Sequence, residues 1–287
     1  MNTDAWVLAR TGASAILDSS LLQNLWGGYG ELRRLHLSDR PSVILKVVQP
    51  PAAARDSVSD RRKRRSYEVE QAWYQGPARD SRARVAACLG TAQGLLLLED
   101  LGEAGFSPSR PPQVRAGLRW LARFHGSFLG ARPYGLWEQG GYWHLETRQE
   151  EFARMPASTL KEAAQAIDQR LRAARFQTLI HGDSKPANFL WKNSEEAAAV
   201  DFQYVGVGCG MRDVAYFLDC CGVGEEWLDF YFQELRPFDP PTGLEQEWRQ
   251  LFPVAWCDYA RFMQGWGRSG PLDSYTRQQL ERTLKLL

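Results

Sequence analysis

The first hundred residues alternate short apolar runs with turn residues. Five such runs predict β-strands, at residues 21–26, 32–37, 43–48, 85–89 and 95–98. Between the third and fourth runs, residues 60–75 repeat large side chains at helical spacing, as at Tyr67 and Tyr74, and Ser59 can cap a helix there. The pattern predicts a mostly antiparallel sheet that one helix interrupts.

The periodicity changes after residues 102–112, which are rich in Gly, Ser and Pro. Val114, Leu118 and Leu121 begin an apolar repeat every three or four residues, which predicts an amphipathic helix. Further helices are predicted at 158–175, 213–221, 225–235, 245–264 and 274–286, and short strands at 178–180 and 197–200.

Together these elements predict an α+β, bilobal chain. The first lobe, residues 1–101, is expected to be a small antiparallel sheet with one helix. The second lobe, residues 102–287, is expected to be larger and mainly helical. A chain of 287 residues can bury such cores without disulfides or structural metal.

Composition and charge exclude several classes of function. Hydrophobic residues make up 44% and charged residues 24%, as in ordinary globular proteins. Lys and Arg number 35 against 34 Asp and Glu, so no overall field favours nucleic acid or an anionic membrane. We therefore expect neither partner, and a monomer or a weak dimer.

The cysteines and the first residues indicate a cytoplasmic protein. The five cysteines are odd in number and show no CxxC spacing, which favours a reducing compartment. The first residues carry an acid, Asp4, where a signal peptide would carry a base, and no apolar segment follows.

One string in the second half carries the chemistry of phosphoryl transfer, which needs metal ions on the phosphates and an acceptor hydroxyl held in line. Asp183 leaves a predicted buried strand and can accept the proton of the hydroxyl. Asn188 and Asp201 supply the oxygen ligands that Mg²⁺ prefers. Lys185 can contact the transferred phosphoryl group.

The same string resembles the catalytic loop and metal-binding Asp of the protein-kinase-like superfamily. His181-x-Asp183, then Asn188, then Asp201 with Phe202, follow that order. Gly182, where a protein kinase carries Arg, and Gln203, where it carries Gly, make the chain more similar to the aminoglycoside phosphotransferase, choline kinase and ecdysteroid-kinase-like families. The resemblance implies an ATP- and Mg²⁺-dependent kinase of two lobes.

The first half contains the other parts that this resemblance requires. Gly28 and Gly30 lie in a Gly-rich turn between two strands, where backbone N–H groups can approach phosphates. Lys46 interrupts an apolar strand and resembles the lysine that binds the α- and β-phosphates. Glu70 on the following helix is its expected partner, with Glu68 as the alternative.

Glu99 and Leu101 lie in a segment that resembles the hinge, whose backbone meets the adenine. Asp213 resembles the acid that opens the next helix and braces the catalytic loop. The expected cofactors are ATP and Mg²⁺, although GTP remains an alternative to ATP.

The acceptor implied by the resemblance is a small compound with a hydroxyl group, such as an aminoglycoside, a choline-like molecule or a related alcohol. An aromatic and acidic pocket for a cationic alcohol or amine can be assembled from Trp137, Trp143, Trp256, Trp266, Glu146, Glu150, Glu151 and Asp258. Core packing of the tryptophans and solvation of the acids remain the favoured interpretation.

Two other groups of residues receive structural interpretations. His125 is expected in the core, His181 supporting the backbone of the catalytic loop, and His36 and His144 at the solvent edge. The basic run, residues 61–65, is interpreted as the solvated start of a helix, with contact to an anionic substrate or RNA as the alternative.

Two further functions compete with a small-molecule kinase. A non-catalytic nucleotide-binding pseudokinase would explain the incomplete Gly-rich turn. A minimal protein kinase is disfavoured because the short spacing between Asp201 and Asp213 leaves no room for an activation loop, and no Ala-Pro-Glu follows.

Overall fold

A computed structural model of the chain describes residues 2–51, 57–267 and 270–287. It begins with a helix that the apolar pattern did not predict. This helix, α1 (Thr3–Thr11), is capped by the Asn2 side chain, which accepts from the Ala5 N–H, and it ends at Gly12 in the left-handed region. Val7 is its one fully buried residue and packs against the sheet. A nine-residue helix with a single buried position shows no repeat of apolar residues in the sequence.

The first lobe contains the predicted antiparallel sheet. Its five strands lie in the order β1-β2-β3-β5-β4. Their bounds are β1 (Ile16–Asn24), β2 (Gly30–Leu37), β3 (Val43–Val48), β4 (Cys88–Ala92) and β5 (Leu95–Glu99). The helix α2 (Val58–Gln75) lies between β3 and β4. The lobe therefore carries two helices, α1 and α2, where one was predicted.

Several strand boundaries differ from the prediction, most of all those of β1 and β4. β1 begins at Ile16 and includes polar residues, because it is an edge strand with one exposed face. The predicted residues Leu25 and Trp26 leave the strand, since the Leu25 N–H donates to the Gly30 carbonyl and closes a tight turn. The fourth strand begins at Cys88, three residues later than expected.

The second lobe is mainly helical, as predicted. Its helices are α3 (Val114–Ser127), α4 (Gln149–Arg154), α5 (Thr159–Glu162), α6 (Ala164–Arg172), α7 (Met211–Cys221), α8 (Leu228–Leu235), α9 (Leu244–Trp266) and α10 (Ser274–Leu284). Its short strands are β6 (Thr178–Ile180), β7 (Phe189–Trp191), β8 (Ala197–Ala199) and β9 (Gly206–Gly208), which pair as β6-β9 and β7-β8. The predicted helix 158–175 is divided into α5 and α6, and α4, β7 and β9 were not predicted.

The α+β, bilobal architecture confirms the predicted fold class, while the boundary at residue 101 stays a prediction. One large core unites α2 with the second lobe: Trp73 of α2 stacks on Phe202, with ring centroids 4.8 Å apart. Because Phe202 directly follows Asp201, this packing holds the two lobes together beside the predicted site. Within the described parts of the chain, no helix is long and apolar enough to cross a membrane.

Candidate active site

The loop between β6 and β7 presents Asp183 with both carboxylate oxygens in use. Oδ2 accepts from the Lys185 ammonium and from the Asn188 amide, each at 2.9 Å. Oδ1 accepts from the Tyr216 hydroxyl at 3.2 Å. Asp183 is 4% exposed, so these contacts set the direction of a nearly buried carboxylate. Tyr216 was not predicted from the sequence, although its place on the helix that Asp213 opens could have indicated it.

Asp213 supports the backbone of this loop from α7. Its carboxylate accepts from the N–H groups of His181 at 2.6 Å and Gly182 at 2.9 Å. The His125 ring lies 3.2 Å from the same carboxylate. Burial alone would raise the pKa of Asp213, but the hydrogen bond from His125 and the backbone donors outweigh it and lower the pKa. The predicted structural positions of Asp213 and His125 agree with this geometry.

His181 connects the loop to the segment that carries Asp201. Its Nε2 lies 3.0 Å from the carbonyl oxygen of Val200, and its Nδ1 accepts from the Asp183 N–H at 3.3 Å. The ring is fully buried and packs on Phe202. It therefore supports backbone, as predicted.

Gly182 can be no other residue without moving the chain. Its φ is +78°, in the left-handed region. An added Cβ would lie 2.2 Å from the Tyr204 carbonyl oxygen and 2.7 Å from the Gly141 nitrogen. The close passage of these two segments explains why this loop carries Gly where a protein kinase carries Arg.

Asn188 and Asp201, the predicted Mg²⁺ ligands, each keep a side-chain oxygen that no hydrogen bond among the described residues uses. The Asn188 Nδ2 donates to the backbone carbonyl and to the carboxylate of Asp183, so the Asn188 Oδ1 points elsewhere. The Asp201 Oδ1 is buried and has no hydrogen-bond partner among the described residues. Asp201 also adopts a left-handed φ of +66°, a strained conformation of the kind found at functional sites. An orphaned carboxylate oxygen beside an amide oxygen fits Mg²⁺.

Lys46 and Glu70 form a buried ion pair behind Asp201. The Lys46 Nζ lies 2.5 Å from the Glu70 carboxylate and 3.8 Å from Asp201 Oδ1. Burial opposes the charge on Lys46, but the carboxylates of Glu70 and Asp201 outweigh it and raise its pKa. Glu68 lies on the exposed face of α2, near Arg65. The structure thus pairs Lys46 with Glu70 rather than with Glu68.

The Gly-rich turn contains two glycines with different requirements. Gly28 has a φ of +74° and nothing within 4 Å of an added Cβ, so its backbone faces open space. Gly30 begins β2, and its added Cβ would lie 1.9 Å from the Val47 carbonyl oxygen. Gly28 is thus placed where a phosphate can approach, whereas Gly30 is required by the packing of β2 on β3.

The segment predicted to be the hinge begins at the end of β5. The Glu99 carboxylate is bound to Arg84 and accepts from the Ala87 N–H at 3.0 Å, so its side chain is engaged at the outer side of the sheet. The Leu101 carbonyl accepts from Ala104 and Phe106. No hydrogen bond among the described residues uses the Leu101 N–H, which leaves that donor for a ligand.

An aromatic wall, formed by Tyr216, Trp143 and Tyr259, lies beside Asp183. Of these three residues, only Trp143 was a candidate from the sequence. The Tyr216 ring packs on Trp143 and Tyr259, with centroids 4.7 and 4.4 Å away. Burial and then the Asp183 carboxylate raise the pKa of Tyr216 strongly, so it stays a hydrogen-bond donor. Nearby, Tyr142 packs edge-on against Trp266.

The acids proposed for a cationic acceptor do not form such a pocket. Asp258 is fully buried and receives Arg212 and Arg261 at 2.9 and 2.8 Å. Glu151 is bound by Arg148. The remaining two acids, Glu146 and Glu150, are exposed. Because the buried carboxylates are already neutralised by arginines, they offer no free negative charge to a cation.

Further tryptophan and histidine positions follow from this packing. Trp256 is buried, Trp266 is 46% exposed and Trp137 is half-buried.

His144, predicted at the solvent edge, is 5% exposed, and this prediction was wrong. Burial and then the charge of nearby Arg212 lower the pKa of His144 to about 3.

Two arginines of the basic run depart from its interpretation as a solvated helix start, whereas Arg61 and Arg64 are exposed as expected. Arg62 donates to the Thr147 carbonyl at 2.6 Å, and Arg65 donates to the Gly135 carbonyl at 2.9 Å. Both acceptors lie in the second lobe. These two arginines therefore join α2 to the second lobe.

Comparison with known proteins gives one family and a set of similar structures. The model of the phosphotransferase enzyme family, APH, matches residues 22–246. None of the curated proteins matches the chain.

Three solved structures illustrate the similarity of fold. A candidate fructosamine-3-kinase from Thermobifida fusca YX-ER1 is 18% identical, with a TM-score of 0.60 over 99% of both chains. The macrolide 2'-phosphotransferase MphH from Brachybacterium faecium is 15% identical, with a TM-score of 0.59 over 96% of both chains. Amicoumacin kinase hAmiN, solved with AMP-PNP and Ca²⁺, is 15% identical, with a TM-score of 0.55 over 99% of this chain and 92% of that one.

Proposed function

Because the chain belongs to the phosphotransferase enzyme family, we propose that it transfers the γ-phosphoryl group of ATP to a hydroxyl of a small molecule. One observation carries the proposal: five polar side chains from β3, α2 and the segment between residues 183 and 201 lie in two adjoining clusters, which the Val200 N–H joins by donating to the Asn188 carbonyl at 2.9 Å. Lys46 and Glu70 from the first lobe lie against Asp201, and Asn188 joins Asp183 in the second lobe. This set matches what phosphoryl transfer requires.

Asp183 is the proposed general base. Its carboxylate is held by donors on both oxygens: Oδ2 accepts from Lys185 and Asn188, whereas Oδ1 accepts from Tyr216 alone and keeps a lone pair for the hydroxyl of an acceptor. The O–H proton of the acceptor would pass to Asp183 as the acceptor oxygen bonds to the γ-phosphorus and the bond from phosphorus to the ADP oxygen breaks. Lys185, whose side chain is 41% exposed, would then stabilise charge on the transferred group.

Asn188 and Asp201 would hold Mg²⁺. When bound, the ion neutralises the charge of the phosphates. The orphaned Asp201 Oδ1 supports this role, as does the Asn188 amide, which turns its nitrogen toward Asp183. The complex of amicoumacin kinase hAmiN with AMP-PNP and Ca²⁺ is consistent with a nucleotide and a divalent cation in a site of this fold.

The remaining predicted residues would bind the nucleotide. Lys46 would contact the α- and β-phosphates while Glu70 fixes its position. Gly28, whose own N–H donates to the Leu25 carbonyl at 3.1 Å, would let the backbone of the turn lie close to the phosphates. The free N–H of Leu101 and the carbonyl of Glu99 would meet the adenine edge. Gly30 acts indirectly, since it allows β2 to pack on β3 behind the turn.

The acceptor would bind against the aromatic wall beside Asp183. A small alcohol, whether an aminoglycoside, a choline-like compound or another, is the proposed partner. We propose no nucleic-acid or membrane partner, and a monomer or weak dimer. The cytoplasm is the proposed location, because it supplies ATP and keeps the five free thiols reduced.

The test is ADP release with Mg²⁺ and ATP across a broad panel of small hydroxyl compounds. Asp183→Asn is the paired variant, and Asp229→Asn, whose side chain is 90% exposed, is the matched surface control. Removing a positioned base is expected to lower the rate by about 10²- to 10⁴-fold.

The outcomes separate the competing functions. A compound-dependent signal that Asp183→Asn loses and Asp229→Asn keeps supports the kinase. Nucleotide binding with no turnover on any acceptor would favour a pseudokinase. Phosphorylation of protein substrates alone would favour a protein kinase.

A further inference from the structure

One lysine of α2 faces the Gly-rich turn and is not used in the function proposed above. Lys63 lies one and two turns before Tyr67 and Glu70, on the same face of the helix. Its Nζ lies 5.3 Å from the ring centroid of Tyr29 and 5.7 Å from that of Trp26. These two aromatic residues flank the glycines of the turn, so the ammonium lies next to the turn.

Lys63 differs from the other cations of the basic run in having no anionic or carbonyl partner. Arg62, Arg64 and Arg65 each donate to an oxygen. The Lys63 ammonium makes no hydrogen bond or ion pair with any residue in the described ranges, although the residue is partly buried. Two π-faces compensate only part of the hydration that a partly buried ammonium loses. An anion is the group that would complete this site.

The charges around Lys63 place it near the proposed phosphates. Asp201 is close enough to favour the charged ammonium, while Lys46, Arg62 and Arg148 oppose it. Burial has the largest effect, and together these influences lower the pKa of Lys63 to about 8. Three of the four charged groups that act on Lys63 are therefore positive, and a bound phosphate would offset their repulsion.

We propose that Lys63 binds the terminal phosphates of the nucleotide, as a second phosphate-binding cation beside Lys46. The proposal rests on the kinase function proposed above. Lys46 is held by Glu70, whereas Lys63 is held only by the rings of Trp26 and Tyr29. Trp26 is 73% exposed and Lys63 itself is only partly buried, so a ligand can approach the residue from solvent. AMP lacks the terminal phosphates, so Lys63 would favour ATP over AMP.

The test compares the binding of ATP, ADP and AMP, each with Mg²⁺, by isothermal titration calorimetry at pH 7. The variants are Lys63→Gln, Lys63→Arg, and the matched control Arg61→Gln, which removes one exposed charge from the same helix. Thermal melts establish that each variant is folded. A charge-assisted hydrogen bond is worth enough that Lys63→Gln should weaken ATP binding about 10- to 100-fold.

AMP binding should change less than about 2-fold in Lys63→Gln, within the usual effect of a surface substitution. ADP should show an intermediate loss, and Lys63→Arg should keep most of the preference for ATP. Arg61→Gln should leave all three affinities unchanged.

A second readout is proton uptake. At pH 8 part of the Lys63 population is neutral, and bound phosphate should restore its charge. Wild-type protein should therefore take up a fraction of a proton on binding ATP, measured by calorimetry in buffers of different ionisation enthalpy. The uptake should be absent in Lys63→Gln.

Equal weakening of ATP and AMP in a folded Lys63→Gln would overturn the proposal, because it would show that Lys63 supports the turn and not the phosphates. Unchanged ATP affinity would overturn it as well. Either result leaves the proposed kinase function intact. If wild-type protein itself binds no ATP, the proposed kinase function is overturned, and the proposed phosphate-binding role of Lys63 is overturned as well.

Discussion

Replacing Gly182 by Ala tests whether the passage of two segments beside the catalytic loop fixes the position of Asp183. The new Cβ would lie 2.2 Å from the Tyr204 carbonyl oxygen and 2.7 Å from the Gly141 nitrogen. Both contacts are with backbone, so no side-chain rotation relieves them. The chain must move. The matched control is Gly222→Ala, because Gly222 has a similar φ of +70° but nothing within 4 Å of an added Cβ.

The control measures backbone strain alone. A non-glycine residue in the left-handed region costs about 1–2 kcal/mol, and Gly222→Ala should lose no more than this. Gly182→Ala bears the same strain and must also separate the segments around it. The Gly182 carbonyl accepts from the Tyr142 N–H at 2.6 Å, and Gly141 donates to Tyr204 at 3.2 Å.

The additional cost at Gly182 follows from overpacking and these two hydrogen bonds. Overpacking costs about 1–3 kcal/mol, and each weakened hydrogen bond about 1 kcal/mol. Gly182→Ala should therefore lower the free energy of unfolding by about 4–7 kcal/mol in total. At about 2–4 °C per kcal/mol for a large domain, the melting temperature should fall by about 8–28 °C, against about 2–8 °C for Gly222→Ala.

Urea unfolding and thermal melts give the two stabilities, and nucleotide-dependent turnover reports the position of Asp183. We expect Gly222→Ala to keep turnover and Gly182→Ala to lose most of it at a temperature where both are folded. If the two variants melt at the same temperature and turn over equally, the passage of Gly141 and Tyr204 does not constrain the loop, and the reasoning is refuted.

Three further predictions follow from single contacts. Glu70→Gln should weaken ATP binding about 10-fold, because Lys46 loses its charged partner, whereas the exposed Glu68→Gln should not; equal effects in a binding titration would contradict the pairing. Tyr216→Phe should lower kcat about 2- to 10-fold with KM unchanged, since one modest hydrogen bond to Asp183 is lost; an unchanged kcat in steady-state assays would show that this bond does not orient the base. The lowered pKa of His144 means that the unfolded chain binds more protons below about pH 6.5, so stability should fall by up to about 2 kcal/mol from there to pH 5; urea unfolding at both pH values should show this loss, and His144→Gln should reduce it.

The helix α2 connects the Gly-rich turn, the ion pair and the second lobe. The Tyr29 hydroxyl is hydrogen-bonded to Asp60 near its start. Farther along, Arg62 and Arg65 donate to carbonyls of the second lobe, and Glu70 holds Lys46. Because one rigid element carries all these contacts, a displacement of the turn would also act on the ion pair.

Much of the catalytic arrangement could be predicted because it is local in the chain. Asp183, Lys185 and Asn188 lie within one short loop, and Asp201 follows the next strand. Their spacing and flanking apolar runs determine which side chains leave the strands together. The family resemblance and the α+β, bilobal fold were predicted on this basis and are confirmed. The individual roles of these residues stay predictions that the variants above address.

Other features could not be read from spacing. On α2, Glu70 is the expected partner of Lys46, but Glu68 stays an alternative until the rotation of the helix on the sheet is known. The charge state of the acceptor pocket depends on pairs distant in sequence, as when Asp258 meets Arg212. His144 looked solvent-exposed because its burial comes from elements outside its own segment.

The sequence by itself determined the order of the elements, the catalytic loop and the chemistry its side chains can perform, because periodicity and short-range spacing act within a few residues. Only the tertiary structure decided which acids are neutralised, that Tyr216 reaches Asp183, and that Lys63 faces the Gly-rich turn. The physical reason is that burial and electrostatic pairing depend on which distant segments come into contact, and a local pattern of apolar and polar residues does not contain that information.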